Sequence, residues 1–139
     1  MSRSRLAMTN EALATALAAA DDGTKRAVGV SMVEWINQLA QVGEVEAALV
    51  QLRAGKVANQ AVRAELRRLA YAADKLGTDA DDAGDEQAGE VYFHRARALF
   101  AAFFAASEDV EEASQEPAYE AFTIDPEHTE RAVRSRLKP

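Results

Sequence analysis

The sequence predicts an all-α fold, an antiparallel bundle of about five to six helices in a single domain over 1–139. Apolar residues recur at helical spacing along most of the chain, and no run of alternating β-branched residues indicates a strand. Alanine, the strongest helix former, is the most abundant residue. The seven glycines fall mainly where these periodic segments end, which is typical of helix C-termini.

In the N-terminal half, the sequence predicts a basic, flexible segment over 1–8 that is followed by four helices. The first helix is expected over about 10–20 and the second over about 25–42, with Gly43 as its stop. A third is expected over about 44–54, ended by Gly55. The fourth, over about 59–76 and closed by Gly77, has the clearest apolar stripe.

The C-terminal half begins with an acidic inter-helix loop over 79–86. A helix over about 87–106 is apolar on most faces, which predicts the buried centre of the bundle. The helices over 25–42 and 59–76 are expected to pack around it as the rest of the core. Residues 107–139 contain few large apolar groups, so we expect them to be loosely docked, with Pro117 starting a turn and a last helix over 126–137.

Two stretches carry a partial family resemblance. Trp35, Leu39, Val45, Ala48 and Leu52 stand at spacings similar to a tetratricopeptide repeat, and the segment 118–126 resembles the end of such a repeat. The resemblance implies a degenerate helical scaffold that binds proteins. No repeat of ~34 residues recurs along the chain, so ordinary antiparallel helix pairs remain the alternative.

Composition limits the classes of protein that the chain can belong to. It contains no cysteine, which excludes disulfides and thiolate metal sites and favours a cytoplasmic protein. No segment has the length of apolar sequence that a membrane span needs. Abundant alanine and arginine suggest a bacterial source. Large apolar residues are scarce, so a homo-oligomer is expected to bury further surface.

Charge is distributed unevenly along the chain, whose net charge is −7. Residues 79–130 hold most of the acids and only two arginines, whereas the last nine residues are basic. Such an acidic block repels nucleic acid and favours a basic protein partner. The residues predicted to bind that partner are Glu108, Asp109, Glu111, Glu112 and Glu116.

The segment 79–90 also suggests a metal site, because oxygen-bearing residues fall near the positions of an EF-hand calcium loop. The candidate ligands are Asp79, Asp81, Asp85, Gln87 and Glu90. Ala83 stands at a ligand position and Glu86 at one that is usually apolar. The alternative is an acidic connector whose carboxylates favour the start of the next helix.

No catalytic constellation and no cofactor-binding motif is present in the sequence. The two histidines, His94 and His128, stand in no metal or triad pattern, and glycine-rich phosphate loops are absent. We therefore expect a non-enzymatic interaction or accessory protein without a cofactor, with a protein partner, and unlikely to bind nucleic acid. The alternatives are a weak calcium module over 79–90 and the repeat-like scaffold.

Overall fold

The computed structural model describes residues 4–138, and this part of the chain is all-helical, without a strand. It contains eight helices rather than the five to six predicted. In chain order they are α1 (Arg5–Thr9), α2 (Glu11–Ala18), α3 (Asp22–Ala40), α4 (Gly43–Arg53), α5 (Gln60–Asp82), α6 (Glu86–Ala105), α7 (Val110–Ile124) and α8 (Pro126–Leu137).

Most of the helices begin at a side-chain cap. The carboxylate or amide oxygens of Asn10, Asp21, Asn59, Asp85 and Asp125 each accept a hydrogen bond from a backbone N–H in the first turn of the helix that follows. These caps occupy donors that the helix itself leaves unpaired. The starts of these helices are therefore defined locally, before any tertiary packing.

The centre of the molecule is formed by α3, α6 and α7, which pack on one another. Small side chains line these contacts, including the buried alanines Ala98, Ala101, Ala102, Ala118 and Ala121. Such residues let helix axes approach closely, so close van der Waals contact compensates for the scarcity of large apolar side chains. Larger buried groups, among them Leu13, Leu17, Met32, Ile36 and Leu49, surround this centre.

The prediction that 107–139 docks loosely, and that Pro117 starts a turn, is wrong for α7. Pro117 lies inside this helix and is buried. Proline has no N–H, so it cannot donate to the carbonyl of Ala113 four residues earlier. That carbonyl faces α3 at Gly29, where an added Cβ would lie 2.1 Å from the oxygen. Because Pro117 donates no hydrogen bond to this carbonyl and Gly29 has no side chain, α7 can pack closely against α3.

The position of α5 differs from the predicted core. It packs mainly along α6, and only one of its faces is buried, through Leu66, Ala70, Ala73 and Gly77. Its clear amphipathic stripe therefore indicates a helix that covers the core, while α7 takes the central position.

The predicted flexible N-terminus is also corrected over the residues that the structure describes. Ser4 caps α1, and Leu6 is fully buried in the core. The guanidinium of Arg5 binds carboxylates of α7. Residues 1–3 of the predicted segment lie outside the described residues.

Two glycines do not end helices as predicted. α3 ends at Gln41, which adopts the left-handed conformation with φ of 54°, and Gly43 is the first residue of α4. α5 continues through Gly77 to Asp82, so the acidic loop predicted over 79–86 is reduced to a turn at 83–85. Gly77 lies against Tyr92 of α6, with 3.3 Å between an added Cβ and the Tyr92 Cβ.

The last helix, α8, docks on its own chain. Val133 is fully buried and Leu137 is partly buried. The ring of His128 stacks on Trp35 of α3, with 4.3 Å between the ring centroids. No helix in the range 4–138 is long and apolar enough to cross a membrane.

Candidate functional site

Three of the five acids predicted to bind a partner are engaged inside the molecule. Glu111 pairs with Lys25 of α3, whose side chain is buried. Glu112 lies 3.3 Å from the Arg63 guanidinium of α5. The carboxylate of Glu116 lies 2.7 Å from Arg5 of α1.

The other two predicted acids stand where the chain enters α7. Asp109 caps the helix and accepts from the N–H groups of Glu111 and Glu112. Glu108 is exposed, and no hydrogen bond or ion pair of its carboxylate occurs among the described residues. The acidic segment over 108–116 is therefore largely neutralised by cations of the N-terminal half.

A buried carboxylate, Glu120, extends this set of ion pairs into the core. Its side chain is 1% exposed. One oxygen accepts from Arg5 at 2.8 Å, and the other lies 3.0 Å from Arg97 of α6. Arg97 also donates to Asp74 of α5 at 2.8 Å. The network thus joins α1, α5, α6 and α7.

Electrostatics around Glu120 are balanced between two opposing effects. Burial raises the pKa of the Glu120 carboxyl, and the nearby Arg97 and Arg5 guanidiniums lower it by a smaller amount, so the pKa lies above its usual value. The Oε2 atom of Glu120 and the Nε atom of Arg97 are buried and make no hydrogen bond within the described chain.

A cleft of about 250 Å³ lies beside this network and is lined by Tyr71, Phe100 and Phe104 with the charged groups. Tyr71 packs edge-on against Phe100. A shifted buried carboxyl beside a cleft is a feature of catalytic sites, but also of structural ion-pair networks. Both guanidiniums that face Glu120 make further contacts, and the cleft is smaller than usual ligand cavities. We therefore interpret the network as structural.

The five candidate metal ligands do not form one loop, because the first two, Asp79 and Asp81, lie in α5. Asp79 pairs with Lys75 at 3.0 Å, one turn earlier in the same helix. Asp85 caps α6, and Asp81 lies directly against Gly89. Gln87 and Glu90 follow on α6 and are exposed.

Within 4–138 no three histidine, aspartate or glutamate side chains come together as a metal site. The EF-hand course of the backbone is therefore corrected to a helical hairpin. Calcium binding by these residues stays a prediction.

The end of this hairpin, which we call the hairpin tip (79–90), holds several unpaired acids within a short segment. The carboxylates of Asp82, Glu86 and Glu90 are exposed and make no hydrogen bond or ion pair with any described residue. Six carboxylates and no lysine or arginine fall within these twelve positions. The hairpin tip therefore carries a concentrated negative charge that the protein does not neutralise.

Exposed apolar side chains flank the hairpin tip on both helices. Leu76 of α5 is 46% exposed, and Val91 and Phe93 of α6 are 52% and 39% exposed. Isolated exposed apolar groups are ordinary on protein surfaces. Here they adjoin a patch of unpaired charge, and that combination is what an amphipathic partner would contact.

Glu120 was not among the predicted site residues, although the sequence contains a signal for it. Glu120 follows Ala113 and Pro117 at helical spacing, so an acid falls on the apolar side of α7. The ion pairs of the acids in 111–116 were not predicted for a different reason. Partners such as Lys25 and Arg63 stand some 50 to 90 positions away, and only the packing of α3, α5 and α7 brings them near.

Comparison of the chain with protein-family models, with curated proteins and with solved structures gives no match.

Proposed function

We propose that the chain is a non-enzymatic protein-interaction module that presents its hairpin tip (79–90) to a basic partner. The observation that carries the proposal is the contrast between two acidic groups. The acids at 111, 112 and 116 face internal cations, whereas Asp82, Glu86 and Glu90 face none in the described chain. The acidic surface for a partner therefore lies on the hairpin tip and not on α7.

Unpaired charge at one end of a hairpin supports a role in capture. Carboxylates exposed to water keep their hydration, so their presence costs the fold little, while their summed field attracts a cationic surface. Such attraction raises the rate of encounter and weakens with salt.

The apolar neighbours of the hairpin tip indicate which kind of basic partner fits. Leu76 and Val91 offer contact area that a purely cationic, fully hydrated peptide does not use. An amphipathic helix with basic and apolar faces uses both features. We propose that such a segment is the partner and that the chain itself is cytoplasmic. A second copy of the chain is the other occupant to be tested.

A synthetic peptide with basic and apolar faces takes the place of the partner in a binding test. We would titrate the protein with a lysine- and leucine-based amphipathic helix by calorimetry, at about 50 mM and about 300 mM salt. The expected result is binding that weakens several-fold at the higher salt. The triple variant Asp82→Asn, Glu86→Gln, Glu90→Gln is expected to weaken it by on the order of tenfold at low salt, which corresponds to ~1.4 kcal/mol.

A matched control removes the same number of exposed, unpaired acids elsewhere: Asp22→Asn, Glu108→Gln, Glu127→Gln. This variant has the same net charge and is expected to bind as the wild type does. Equal weakening in both variants would mean that net charge alone attracts the peptide, and would overturn the proposed site. Light scattering on the free protein reports self-association, and a dimer that the Val91→Ser, Phe93→Ser variant dissociates would assign the surface to a second copy instead.

A further inference from the structure

A positively charged cleft lies between α3, α4, α8 and the connection that follows α4. Its volume is about 330 Å³, within the range of small-molecule sites. Four cations line it, Arg26, Arg53, Lys56 and Arg136, against a single acid, Glu34. In a chain with a net charge of −7, this concentration of positive charge is unusual and independent of the hairpin tip.

The four cations are not equally engaged. Arg26 donates to the backbone carbonyls of Ser107 and Glu108, and Arg53 pairs with Glu34 at 3.1 Å. The side chains of Lys56 and Arg136 are exposed and make no hydrogen bond or ion pair with any described residue. Two donors at the cleft are therefore available to a ligand, and the field of the other two adds to theirs.

The remaining wall of the cleft is apolar. Val30 and Leu52 are partly buried there, Ala105 is buried, and Val57 is 43% exposed. A ligand with charge alone leaves this wall in water, and a ligand without charge leaves the two cations unpaired. The site fits a molecule that has both parts, because apolar burial and charge-assisted hydrogen bonds then act together.

We propose that this cleft binds a small organic anion, with a carboxylate or phosphate-ester head at Lys56 and Arg136 and a short apolar body along Leu52 and Val57. The two head groups share the same chemistry at the cations, and the experiment distinguishes them. The proposal does not rest on the proposed function, because none of its residues lies in the hairpin tip.

Four probes separate the contributions of charge and apolar contact on the wild-type protein. Octanoate and octyl phosphate carry both parts, inorganic phosphate carries only the anion, and 1-octanol carries only the apolar body. We expect calorimetry to show binding of at least one octyl anion, at least tenfold tighter than inorganic phosphate or 1-octanol. Binding of octanoate alone, or of octyl phosphate alone, identifies the head group.

Variants then locate the bound probe. The double variant Lys56→Gln, Arg136→Gln is expected to weaken binding of the octyl anion by on the order of tenfold. The near-isosteric Val57→Thr is expected to weaken this binding by several-fold. The control Arg131→Gln with Lys138→Gln removes two exposed cations of α8 and its C-cap that do not line the cleft, and it is expected to leave binding unchanged. Melting curves verify that each variant is folded, and the four-probe comparison needs no variant at all.

Three results would overturn the proposal: no binding of either octyl anion, inorganic phosphate or 1-octanol binding as tightly as they do, or loss of binding in the control variant. Peptide capture by the hairpin tip is measured separately. Failure of one experiment therefore leaves the other proposal standing.

Discussion

At the scale of single residues, Glu120 is the most deeply buried charged side chain of the described chain. The carboxyl is enclosed by Arg97 and Arg5, yet burial outweighs their attraction and raises its pKa. Each buried ion costs several kcal/mol in lost hydration, which neighbouring charges return only in part. The native protein therefore favours a protonated Glu120 more than the unfolded chain does.

This difference predicts a pH dependence of stability. Between the ordinary pKa of a glutamate and the raised pKa of Glu120, the folded state binds more protons than the unfolded state. The free energy of unfolding must therefore fall as pH rises through that window. The Glu120→Gln variant is expected to lose this component, so the difference between wild-type and variant unfolding free energies declines with rising pH.

Urea unfolding at a series of pH values, from about 4 to about 8, measures that difference. Other groups that face Glu120, namely Arg5, Arg97 and Glu116, are present in both proteins. Asp21 has a lowered pKa because Thr24 donates hydrogen bonds to it, and its opposite contribution cancels in the comparison. A difference that grows with pH would show that the arginines, and not burial, dominate.

Gln41 provides a second residue-scale prediction, because it ends α3 in the left-handed region. That conformation costs a residue with a Cβ ~1–2 kcal/mol, whereas glycine adopts it freely. Part of the stability gained by replacing Gln41 with glycine is offset by the larger conformational freedom of glycine in the unfolded chain. Gln41→Gly is expected to raise the free energy of unfolding by ~0.5–1 kcal/mol in chemical denaturation.

The matched control places the same substitution inside the helix. Gln38→Gly, at an exposed position of α3, is expected to lower stability by ~1 kcal/mol. Glycine is thus expected to stabilise the fold only at the left-handed position 41. A loss of stability in Gln41→Gly would contradict the backbone conformation at the end of α3.

At the scale of elements, the packing of α7 on α3 determines the architecture. Pro117 leaves the Ala113 carbonyl without its usual donor, and Gly29 leaves room for that carbonyl at the surface of α3. Lys25, one turn before Gly29, pairs with Glu111 at the start of α7. Gly29 and Lys25 of α3 thus match two groups of α7, the Ala113 carbonyl and the Glu111 carboxylate.

Gly29→Ala is expected to destabilise the protein by ~2–3 kcal/mol, because the new methyl group would overlap the Ala113 carbonyl and the helices must separate. Gly23→Ala, in the first turn of the same helix, meets only an ordinary contact with Asp21 at 3.5 Å. The control is expected to be neutral or stabilising by up to ~1 kcal/mol. Thermal and urea unfolding of both variants measure the contrast, and equal effects would exclude close α3–α7 contact.

The elements also show what the sequence could predict. Helical spacing and caps predicted the all-α class and located most of the helices, since both are local signals. The end of α3 was misplaced because the Asn37 side chain, which bonds both the N–H and the C=O of Val42, fixes the turn before Gly43. The core position of α7 was missed because its buried surface consists of alanine, proline and polar side chains, which a pattern of large apolar residues does not register.

At the scale of the whole molecule, charge divides into three regions. The acids of α7 are paired with cations from α1, α3 and α5, the hairpin tip is negative and unpaired, and the cleft beside α8 is positive. Composition along the chain predicted the acidity of 79–130 but not this division. The division depends on which cations lie near each acid, which only the tertiary fold decides.

The central claim is that acids of α7 hold the fold while those of the hairpin tip contact a partner. The most direct test measures stability and peptide binding in two variants with equal loss of charge. Glu111→Gln, Glu112→Gln, Glu116→Gln removes three partly buried ion pairs and is expected to lower the free energy of unfolding by ~1–3 kcal/mol, with peptide affinity unchanged. Asp82→Asn, Glu86→Gln, Glu90→Gln is expected to show the reverse: unchanged stability and affinity reduced by on the order of tenfold. If the α7 variant lost affinity while the hairpin-tip variant kept it, the account would be contradicted.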